Sequence, residues 1–546
     1  MWHDRSKIFR RRAPRRHEET VVTASTAPHS HAFDIPALLA ALPARIADIP
    51  ALAAARDPHR VSLIEDARQL TRQQLADAVE ETAAQLRELG VRAGDRVMIV
   101  AENSIVQVVL LFAAAKLDGW ALMSNARLSA AELDAIRAHA APRVIAYAVD
   151  ASSDARGHAQ HHGATAAPAS ASAAAIDIGA WSFVADANVH AEPVEAASEK
   201  QCAALIYTTG TTGAPKGVML SHRNLMFIAT ISSTLRRVGP DDVVYAVLPI
   251  SHVYGLASVC LGSLHAGATL RLASRFAPEA VRHALAHENV SIFQGVPAMH
   301  AKLLEHLQAH GHAWSAPRLR FAYSGGSPLD AALKARVESV YGVTLHNGYG
   351  MTESSPTVSQ TMLDAPCADV SVGQVIPGVE VRFVMLDGVE AARGEIGELW
   401  VRGPNVMLGY YRNPEQTHAT VTEDGWLKTG DLAREEADGT LSIVGRSKEL
   451  IIRSGFNVYP AEVEHVLNAH PDVVQSAVIG RAVEGNEEVV AFVELVAGAR
   501  VTPAELIEWC GARLAPYKRP AEVRVLAALP AASTGKILKH RLREMA

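Results

Sequence analysis

The sequence predicts an α/β protein in which mainly parallel sheets are covered by helices and are followed by a smaller α+β unit. Residues 70–89 repeat apolar side chains at helical spacing, residues 95–100 are typical of a buried strand, and residues 104–116 return to helical spacing. Alternation of this kind is typical of parallel sheets with helices on their faces. After about residue 380 the runs shorten into a β-rich stretch, as at residues 398–401, and a last unit after Arg446 mixes two helical patterns with three strands.

Length and composition indicate a globular protein of several domains. A chain of 546 residues is several times a typical domain length and suggests two to four folding units. Hydrophobic residues make up 49%, which supplies ample core, and the net charge of -6 gives no reason to expect nucleic acid. The best apolar run, residues 105–115, is too short to span a membrane, so a soluble protein is expected.

The cysteines lie far apart and show no CxxC spacing: Cys202, Cys260, Cys367 and Cys510. Such spacing indicates reduced, mostly buried thiols, without a disulfide frame or a metal site. Reduced thiols favour a cytoplasmic protein.

Two segments depart from the globular pattern. Residues 1–30 carry six arginines and little apolar content, so we expect a disordered basic tail or a start assigned too far upstream. Residues 151–176 are rich in Ala, Ser and His, and we expect a solvated insertion there. No partners at ligand spacing accompany His158, His161 and His162, so a metal site is not expected.

The stretch 205–217, LIYTTGTTGAPKG, has the composition of a phosphate-binding loop. Its glycines allow backbone conformations and close approach that other residues resist, its threonines offer hydroxyl groups, and Lys216 offers a positive charge. It differs from the common nucleoside-triphosphate loop, in which Ser or Thr follows a Gly-Lys pair, because Lys216 lies between Pro215 and Gly217. A Gly/Thr-rich string alone is more often a surface turn.

The full order of these residues resembles the phosphate-loop signature of the adenylate-forming enzymes, the family of acyl-CoA synthetases, peptide-synthetase adenylation domains and beetle luciferases. The resemblance covers roughly residues 35–546. It implies an N-terminal AMP-binding domain at 31–445, made of helix-covered sheets and a small β-barrel, and a mobile α+β lid domain at 446–546. It also implies loop residues that hold ATP: Thr208, Thr209, Gly210, Thr211, Thr212, Gly213 and Lys216.

A second motif of the family is the string YGMTE, residues 349–353. By resemblance, Tyr349 and Gly350 close over ATP, the Thr352 hydroxyl faces the α-phosphate, and Glu353 binds Mg²⁺. The last role agrees with the hard oxygen ligands that Mg²⁺ takes.

Two further strings complete the implied nucleotide site. Gly325, Gly326 and Ser327 form a small-residue turn that would back the adenine. In WLKTGD the carboxylate of Asp431 would accept hydrogen bonds from both ribose hydroxyls, for which an acceptor-only group is suited. Arg446 would contact ribose or phosphate.

The remaining motifs concern the two half-reactions. The resemblance implies that Lys448 is the pivot between the domains, that Lys536 is the catalytic cation of the first step, and that Gly455 leaves room for pantetheine in the second. It also makes His252, in PISHVYGL, a gate beside the carboxylate tunnel. The basic residues that follow the Lys536 loop are expected to be solvated: Lys539, His540 and Arg541.

The implied activity is that of an AMP-forming acyl-CoA synthetase that uses ATP, Mg²⁺ and CoA. The acid is expected to be monocarboxylic, fatty or aromatic, because the candidate pocket contains no arginine to pair a second carboxylate. The pocket residues are Phe227, His252, Val253, Tyr254, Gly255, Gln294, Gly295 and Gly325. The alternatives are an enzyme that loads a carrier protein in trans, a luciferase-like oxygenase, and a non-catalytic nucleotide- or acyl-binding relative. The last would be expected to lack Lys536, Glu353 or Asp431, all of which are present. Monomer and homodimer both stay open.

Overall fold

The computed structural model describes residues 33–168, 176–209, 215–385, 387–454, 456–483, 486–496, 498–531 and 537–546. As far as Ser221 the described elements are α1 (Ile35–Ala41), α2 (Asp48–Arg56), β1 (Val61–Glu65), β2 (Arg68–Thr71), α3 (Arg72–Glu88), β3 (Arg96–Ala101), α4 (Ile105–Lys116), β4 (Trp120–Asn125), α5 (Ala130–Ala140), β5 (Val144–Tyr147), α6 (Ser153–His161), β6 (Thr165–Ala166), β7 (Ser182–Ala185), β8 (Cys202–Thr209) and β9 (Pro215–Ser221).

The next part of the chain continues the alternation of helices and strands. Its elements are α7 (His222–Leu235), β10 (Val243–Ala246), a π-helix (Tyr254–Leu261), α8 (Gly262–Ala266), β11 (Thr269–Leu272), α9 (Pro278–His287), β12 (Ile292–Gly295), α10 (Pro297–His310), β13 (Phe321–Ser324), α11 (Ala331–Tyr341), β14 (Leu345–Gly350), a 3₁₀ turn (Thr352–Ser354), β15 (Thr357–Gln360) and β16 (Gln374–Val375).

The last part is richer in strands. Its elements are β17 (Glu380–Val384), β18 (Gly397–Arg402), β19 (Gly409–Tyr410), α12 (Pro414–Thr420), β20 (Leu427–Glu435), β21 (Leu441–Arg446), a 3₁₀ turn (Ser447–Glu449), β22 (Ile451–Arg453), β23 (Phe456–Val458), α13 (Pro460–Asn468), β24 (Val473–Val483), β25 (Asn486–Leu495), α14 (Pro503–Gly511), a 3₁₀ turn (Pro516–Lys518), β26 (Glu522–Leu526) and α15 (Lys539–Met545).

Two large mixed sheets form the body of the protein. One has nine strands in the order β16-β15-β14-β13-β12-β10-β11-β1-β2, and the other has eight in the order β19-β9-β8-β4-β3-β5-β7-β6. The inner strands pair in parallel, as β3 does with β4 and β5, whereas the strands nearest the edges pair antiparallel. Distant parts of the chain meet at these sheets, since β1 pairs with β11 and β9 with β19. The predicted fold class is confirmed.

Local sequence explains the first elements. The capping box of Thr71 and Gln74 starts α3, and Ser104 caps α4 by accepting a hydrogen bond from the backbone of Gln107. Every residue of β3 is buried, and so is every residue of α4 except Lys116. Apart from the buried Arg96 and Gln107, this strand and this helix are apolar on all sides, and they are packed between other elements as their composition predicts.

The expected solvated insertion is wrong for residues 153–166. These residues form α6 and the edge strand β6, and Ala155 and Ala159 are buried in the core beside β3 and β5. The expectation that the histidines have no partner is also wrong, because His162 Nε2 lies 2.8 Å from Asp134 Oδ1. The rest of the segment, residues 169–175, lies outside the described residues, as does the predicted basic tail.

The later strands form smaller sheets. The β subdomain expected after residue 380 is a four-stranded antiparallel sheet in the order β17-β18-β20-β21. The C-terminal unit has its own three-stranded sheet, β24-β25-β26, and an apolar core beneath α13 and α14. The two predicted helices are α13 and α14, and the three predicted strands are β24, β25 and β26. The short hairpin of β22 with β23 and the last helix α15 were not expected.

No described helix combines the length and apolar character that a membrane span requires. All four cysteines are free thiols, as the sequence predicts.

Candidate active site

The candidate phosphate loop joins β8 to β9. These strands pair antiparallel, with Thr208 opposite Lys216, so the hairpin presents both residues beside the loop. Lys216 Nζ donates to Gln416 Oε1 at 3.2 Å and lies 5.4 Å from the ring centroid of Tyr410. Of Thr209 only the backbone is described. Four predicted phosphate contacts lie outside the described residues: Gly210, Thr211, Thr212 and Gly213.

The YGMTE segment leaves β14 and turns through a 3₁₀ helix. A Cβ on Gly350 would come within 1.7 Å of the backbone oxygen of Pro356, so the pairing of β14 with β15 admits only glycine there. Thr352 is buried. The half-buried Glu353 accepts a hydrogen bond from the Tyr410 hydroxyl at 2.8 Å through Oε1.

Tyr410 links Lys216 to Glu353. It lies on β19, next to β9, with Lys216 over its ring and its hydroxyl on Glu353. Burial raises the pKa of Tyr410 and the charge of Glu353 raises it further, so the hydroxyl stays a donor. Within the described part of the chain, Oε2 of Glu353 has no hydrogen bond. A carboxylate with one available oxygen beside the phosphate loop fits Mg²⁺, which takes hard oxygen ligands.

Asp431 lies between two of the predicted nucleotide contacts. Its Oδ2 accepts a hydrogen bond from the Tyr349 hydroxyl at 2.5 Å, and its Oδ1 lies 3.1 Å from Arg446 Nε across the β20–β21 pair. Burial raises the pKa of Tyr349, and the charge of Asp431 adds to this. Burial alone would lower the pKa of Arg446, but Asp431 and Glu449 outweigh it and raise this pKa. Each carboxylate oxygen keeps acceptor capacity for a diol.

The small-residue turn follows β13. The backbone N–H of Gly325 donates to the Gly295 carbonyl at 3.1 Å, while Gly326, at φ +78°, and Ser327 are more exposed. A Cβ on Gly325 would lie 3.2 Å from the Tyr323 ring and 3.3 Å from the Tyr254 ring. Gly325 therefore lies where these two aromatic rings converge.

The segment PISHVYGL leads into the π-helix, an arrangement that often marks functional sites. His252 is half-buried, and its Nδ1 lies 3.4 Å from the backbone nitrogen of Tyr254. A Cβ on Gly255 would come within 2.2 Å of the Pro249 carbonyl oxygen, so the backbone approaches closely here. Val253 is fully buried.

One arginine contacts a residue of the candidate pocket. Arg236, at the C-terminal end of α7, donates to Gln294 Oε1 at 2.8 Å. On the same helix, the ring of Phe227 lies near Gly378, because a Cβ on Gly378 would be 3.2 Å from Phe227 Cζ.

The hinge candidate Lys448 is exposed on its 3₁₀ turn. Lys536 and Gly455 lie outside the described residues, although Ala531 and Ile537, on either side of the Lys536 loop, form a bridge. The expectation of a solvated Lys539 is wrong, because its Nζ lies 3.0 Å from Glu449 and 2.8 Å from Glu464.

Comparison with known proteins tests the resemblance. The family model of AMP-binding enzymes matches residues 51–411, and the model of the AMP-binding enzyme C-terminal domain matches residues 462–536. A feruloyl-CoA synthase from an Amycolatopsis species is 35% identical over 494 residues, which cover 90% of this chain and 96% of that protein. A 4-coumarate–CoA ligase 2 of Oryza sativa subsp. japonica is 33% identical over 501 residues, covering 84% and 85%.

A solved structure supports the same assignment. ATP-bound MatB from Rhodopseudomonas palustris superposes with a TM-score of 0.79 at 31% identity, covering 91% of this chain and 98% of that one. The resemblance that the motifs carry is confirmed. Because the family model matches well over half of the chain, and the relatives match most of it, this chain belongs to the AMP-binding enzyme family as an AMP-forming acid–thiol ligase that uses ATP, Mg²⁺ and CoA.

Proposed function

We propose that the protein joins an aromatic carboxylic acid to CoA through an acyl-adenylate, and that it does so in the cytoplasm. One observation carries the proposal: the short segment 349–353 contacts both the candidate ribose site and the candidate phosphate site. Tyr349 at its start touches Asp431, and Glu353 at its end touches Tyr410 beside Lys216. These five residues therefore set the distance between the candidate ribose contact, Asp431, and the candidate phosphate-side contacts, Glu353 and Lys216. The free thiols are in keeping with a reducing compartment.

In the first step a carboxylate oxygen attacks the α-phosphorus of ATP and pyrophosphate leaves. Glu353 would hold Mg²⁺, which would supply positive charge to the phosphate oxygens. Asp431 orients the ribose, Thr352 and Lys216 hold phosphate oxygens, and Lys536 stabilises the charge that develops. Phosphoryl chemistry depends mainly on positioning and charge, so no separate nucleophile in the protein is required.

In the second step the CoA sulfur attacks the carbonyl carbon of the acyl-adenylate, and AMP leaves. The C-terminal domain supplies different groups to the two steps by turning about Lys448, whose exposure leaves the pivot unobstructed. His252 stands beside the acid, and Gly455 leaves room for the pantetheine arm.

The pocket walls support an aromatic acid. Tyr254 and Tyr323 meet edge to face with ring centroids 6.1 Å apart, and Gly325, which has no side chain, lies against the edges of both rings. Behind them lie polar side chains, Gln294 and Arg236, which would interrupt the apolar path that a long alkyl chain needs. A relative named as a feruloyl-CoA synthase agrees with this choice.

The test is a mass-spectrometric assay of the purified protein with ATP, Mg²⁺, CoA and a panel of aromatic and fatty acids. Acyl-CoA that forms together with AMP from aromatic acids supports the proposal, and preference for a fatty acid contradicts the aromatic class. AMP or bound acyl-adenylate without acyl-CoA would make a carrier protein the acceptor instead. Lys536→Ala should slow adenylation about 100-fold and spare thioester formation from preformed acyl-adenylate, while the matched change Arg541→Ala should alter neither.

A further inference from the structure

Arg236 is a buried cation whose hydrogen-bond acceptors are uncharged side chains. It is only 2% exposed. Its Nη1 donates to Gln294 Oε1 at 2.8 Å, and its Nε and Nη2 donate to Gln360 Oε1 at 3.2 and 3.0 Å. Its guanidinium carbon lies 4.5 Å from the Tyr323 ring centroid. Within the part of the chain that the structure describes, no carboxylate forms an ion pair with it.

A second buried arginine shows how the protein satisfies such a group elsewhere. Arg96 is equally buried but donates to four backbone carbonyl oxygens, among them those of Ala140 and His190, and lies 3.9 Å from Glu192. Among the described residues Arg236 has no backbone acceptor of this kind, and it depends on two glutamine side chains, which can turn away. The carbonyl end of α7 offers it only a partial negative charge.

Unpartnered hydroxyl groups accompany this cation. The Tyr254 hydroxyl is buried and has no hydrogen-bond partner among the described residues, and the same holds for Ser258, about one turn further along the π-helix. The Tyr254 ring packs against Tyr323, the ring that carries Arg236 on its face. Buried polar groups without partners are costly, and a bound oxygen would satisfy them.

The described side chains that contact Arg236 or stack beside Tyr323 carry no negative charge. His346, on the same sheet face as Tyr323, is neutral: burial lowers its pKa to about 4, and the charge of Arg236 contributes in the same direction. Tyr323 and Tyr254 are neutral as well, since burial raises the pKa of both phenols. The cluster therefore keeps a net charge of about +1 in a water-poor part of the protein.

We infer that Arg236 closes the far end of the acid-binding pocket and that the natural acid carries a second carboxylate there, opposite the one that reacts. This inference rests on the proposed function, and it departs from the expectation of a monocarboxylic acid. A carboxylate matches the fork of a guanidinium in two parallel hydrogen bonds, a geometry that a glutamine oxygen imitates only in part. Gln294 or Gln360 would turn aside as the acid enters.

The test compares acids that differ only at the remote end. One series is para-methyl-, para-hydroxy- and para-carboxycinnamate, and an aliphatic pair is hexanoate and adipate. For the native enzyme, kcat/KM from AMP release should be about 10- to 100-fold higher for the acid with the second carboxylate. Arg236→Met should remove that preference by lowering only the carboxylated acids, whereas Arg237→Met, an exposed neighbour paired with Asp364, should keep it.

A second variant tests the charge without removing the arginine. Gln294→Glu would place a carboxylate on the Arg236 guanidinium. The variant should therefore prefer the acids without a second carboxylate, methylcinnamate and hexanoate, over those that carry one. This readout also serves if Arg236→Met fails to fold, as judged by circular dichroism.

The outcomes separate the inference from the proposed function. If no acid yields AMP, the proposed function fails. If methyl-, hydroxy- and carboxycinnamate react equally well, or the phenol reacts best, the second carboxylate is refuted while the ligase stands. An equal loss for all acids in Arg236→Met would also refute the inference, because it would show that the arginine only supports the fold.

Discussion

Replacing Lys539 with methionine should loosen the C-terminal domain next to the loop that carries Lys536. Lys539 Nζ lies between Glu449, beside the hinge, and Glu464 on α13. The three side chains are only 19%, 23% and 16% exposed. Methionine preserves the length of the apolar stem but removes the ammonium group that two poorly hydrated carboxylates share.

The magnitude follows from two charge-assisted hydrogen bonds, each typically worth about 1.5–3 kcal/mol when buried. Because all three groups keep some contact with water, we discount their sum to about 2 kcal/mol. Burial alone would raise the pKa of Glu449, but Lys539 outweighs it and lowers this pKa below 4.5. A depressed carboxylate pKa stabilises the fold above pH 4.5, so the deficit of the variant should be full there and shrink as pH falls further.

Hydrogen exchange of the full-length protein, followed by mass spectrometry on peptides from α13 and β24, measures this change. A loss of about 2 kcal/mol corresponds to exchange about 30-fold faster for the cooperative opening of the domain. Lys518→Met is the matched control, because the ion pair of Lys518 with Glu462 is more exposed. This variant should change the exchange rate by no more than about fivefold. If Lys539→Met changed exchange less than threefold, or no more than the control, the reasoning would be refuted.

Three further predictions concern pH, nucleotide binding and the hinge. Burial lowers the pKa of His222 to about 3, so between pH 6.5 and 3 the imidazole takes up a proton only in the unfolded chain. The free energy of unfolding should therefore decrease by up to about 1.4 kcal/mol for each unit that the pH falls. Urea unfolding of His222→Asn, repeated between pH 6 and 4.5, should give a free energy of unfolding that falls less steeply with falling pH by that amount. An unchanged dependence on pH would contradict the prediction. Asp431→Asn should lower kcat/KM for ATP about 100-fold in a pyrophosphate-release assay, whereas Asp438→Asn, in an exposed turn of the same sheet, should not. Lys448→Pro should spare adenylation and slow thioester formation, because proline fixes φ at the pivot; equal losses in both steps would indicate misfolding.

The sequence predicts those parts of the fold and site that depend on neighbours along the chain. Apolar periodicity locates α3, β3 and α4, because each buries a face or a whole surface that its own residues define. In the same way YGMTE and WLKTGD place Glu353 and Asp431 as consecutive strings. The contact between Tyr349 and Asp431, which lie 82 residues apart, is not predicted by either string.

Parts that depend on distant partners were not predictable from local pattern. Tyr410 lies 57 residues from Glu353, and Arg236 lies 58 residues from Gln294, so nothing next to either residue signals the pairing. An Arg-Arg pair at the end of a helix is ordinarily solvated. The helix α6 was missed because alanines at 155 and 159 are its buried residues, and small side chains give a weak periodic signal.

The pairing of β9 with β19 has a consequence for how the chain is made. Met219 lies opposite Gly409, so about 190 residues must be synthesised before the hairpin that carries the phosphate loop gains its outer neighbour. At about 5–20 residues per second, the ribosome needs roughly 10–40 seconds for that length. During this interval β9 presents an unpaired edge, which is a template for wrong association. A chain that stops before Tyr410 keeps that edge permanently, so cutting the protein upstream of this residue yields a fragment prone to aggregate.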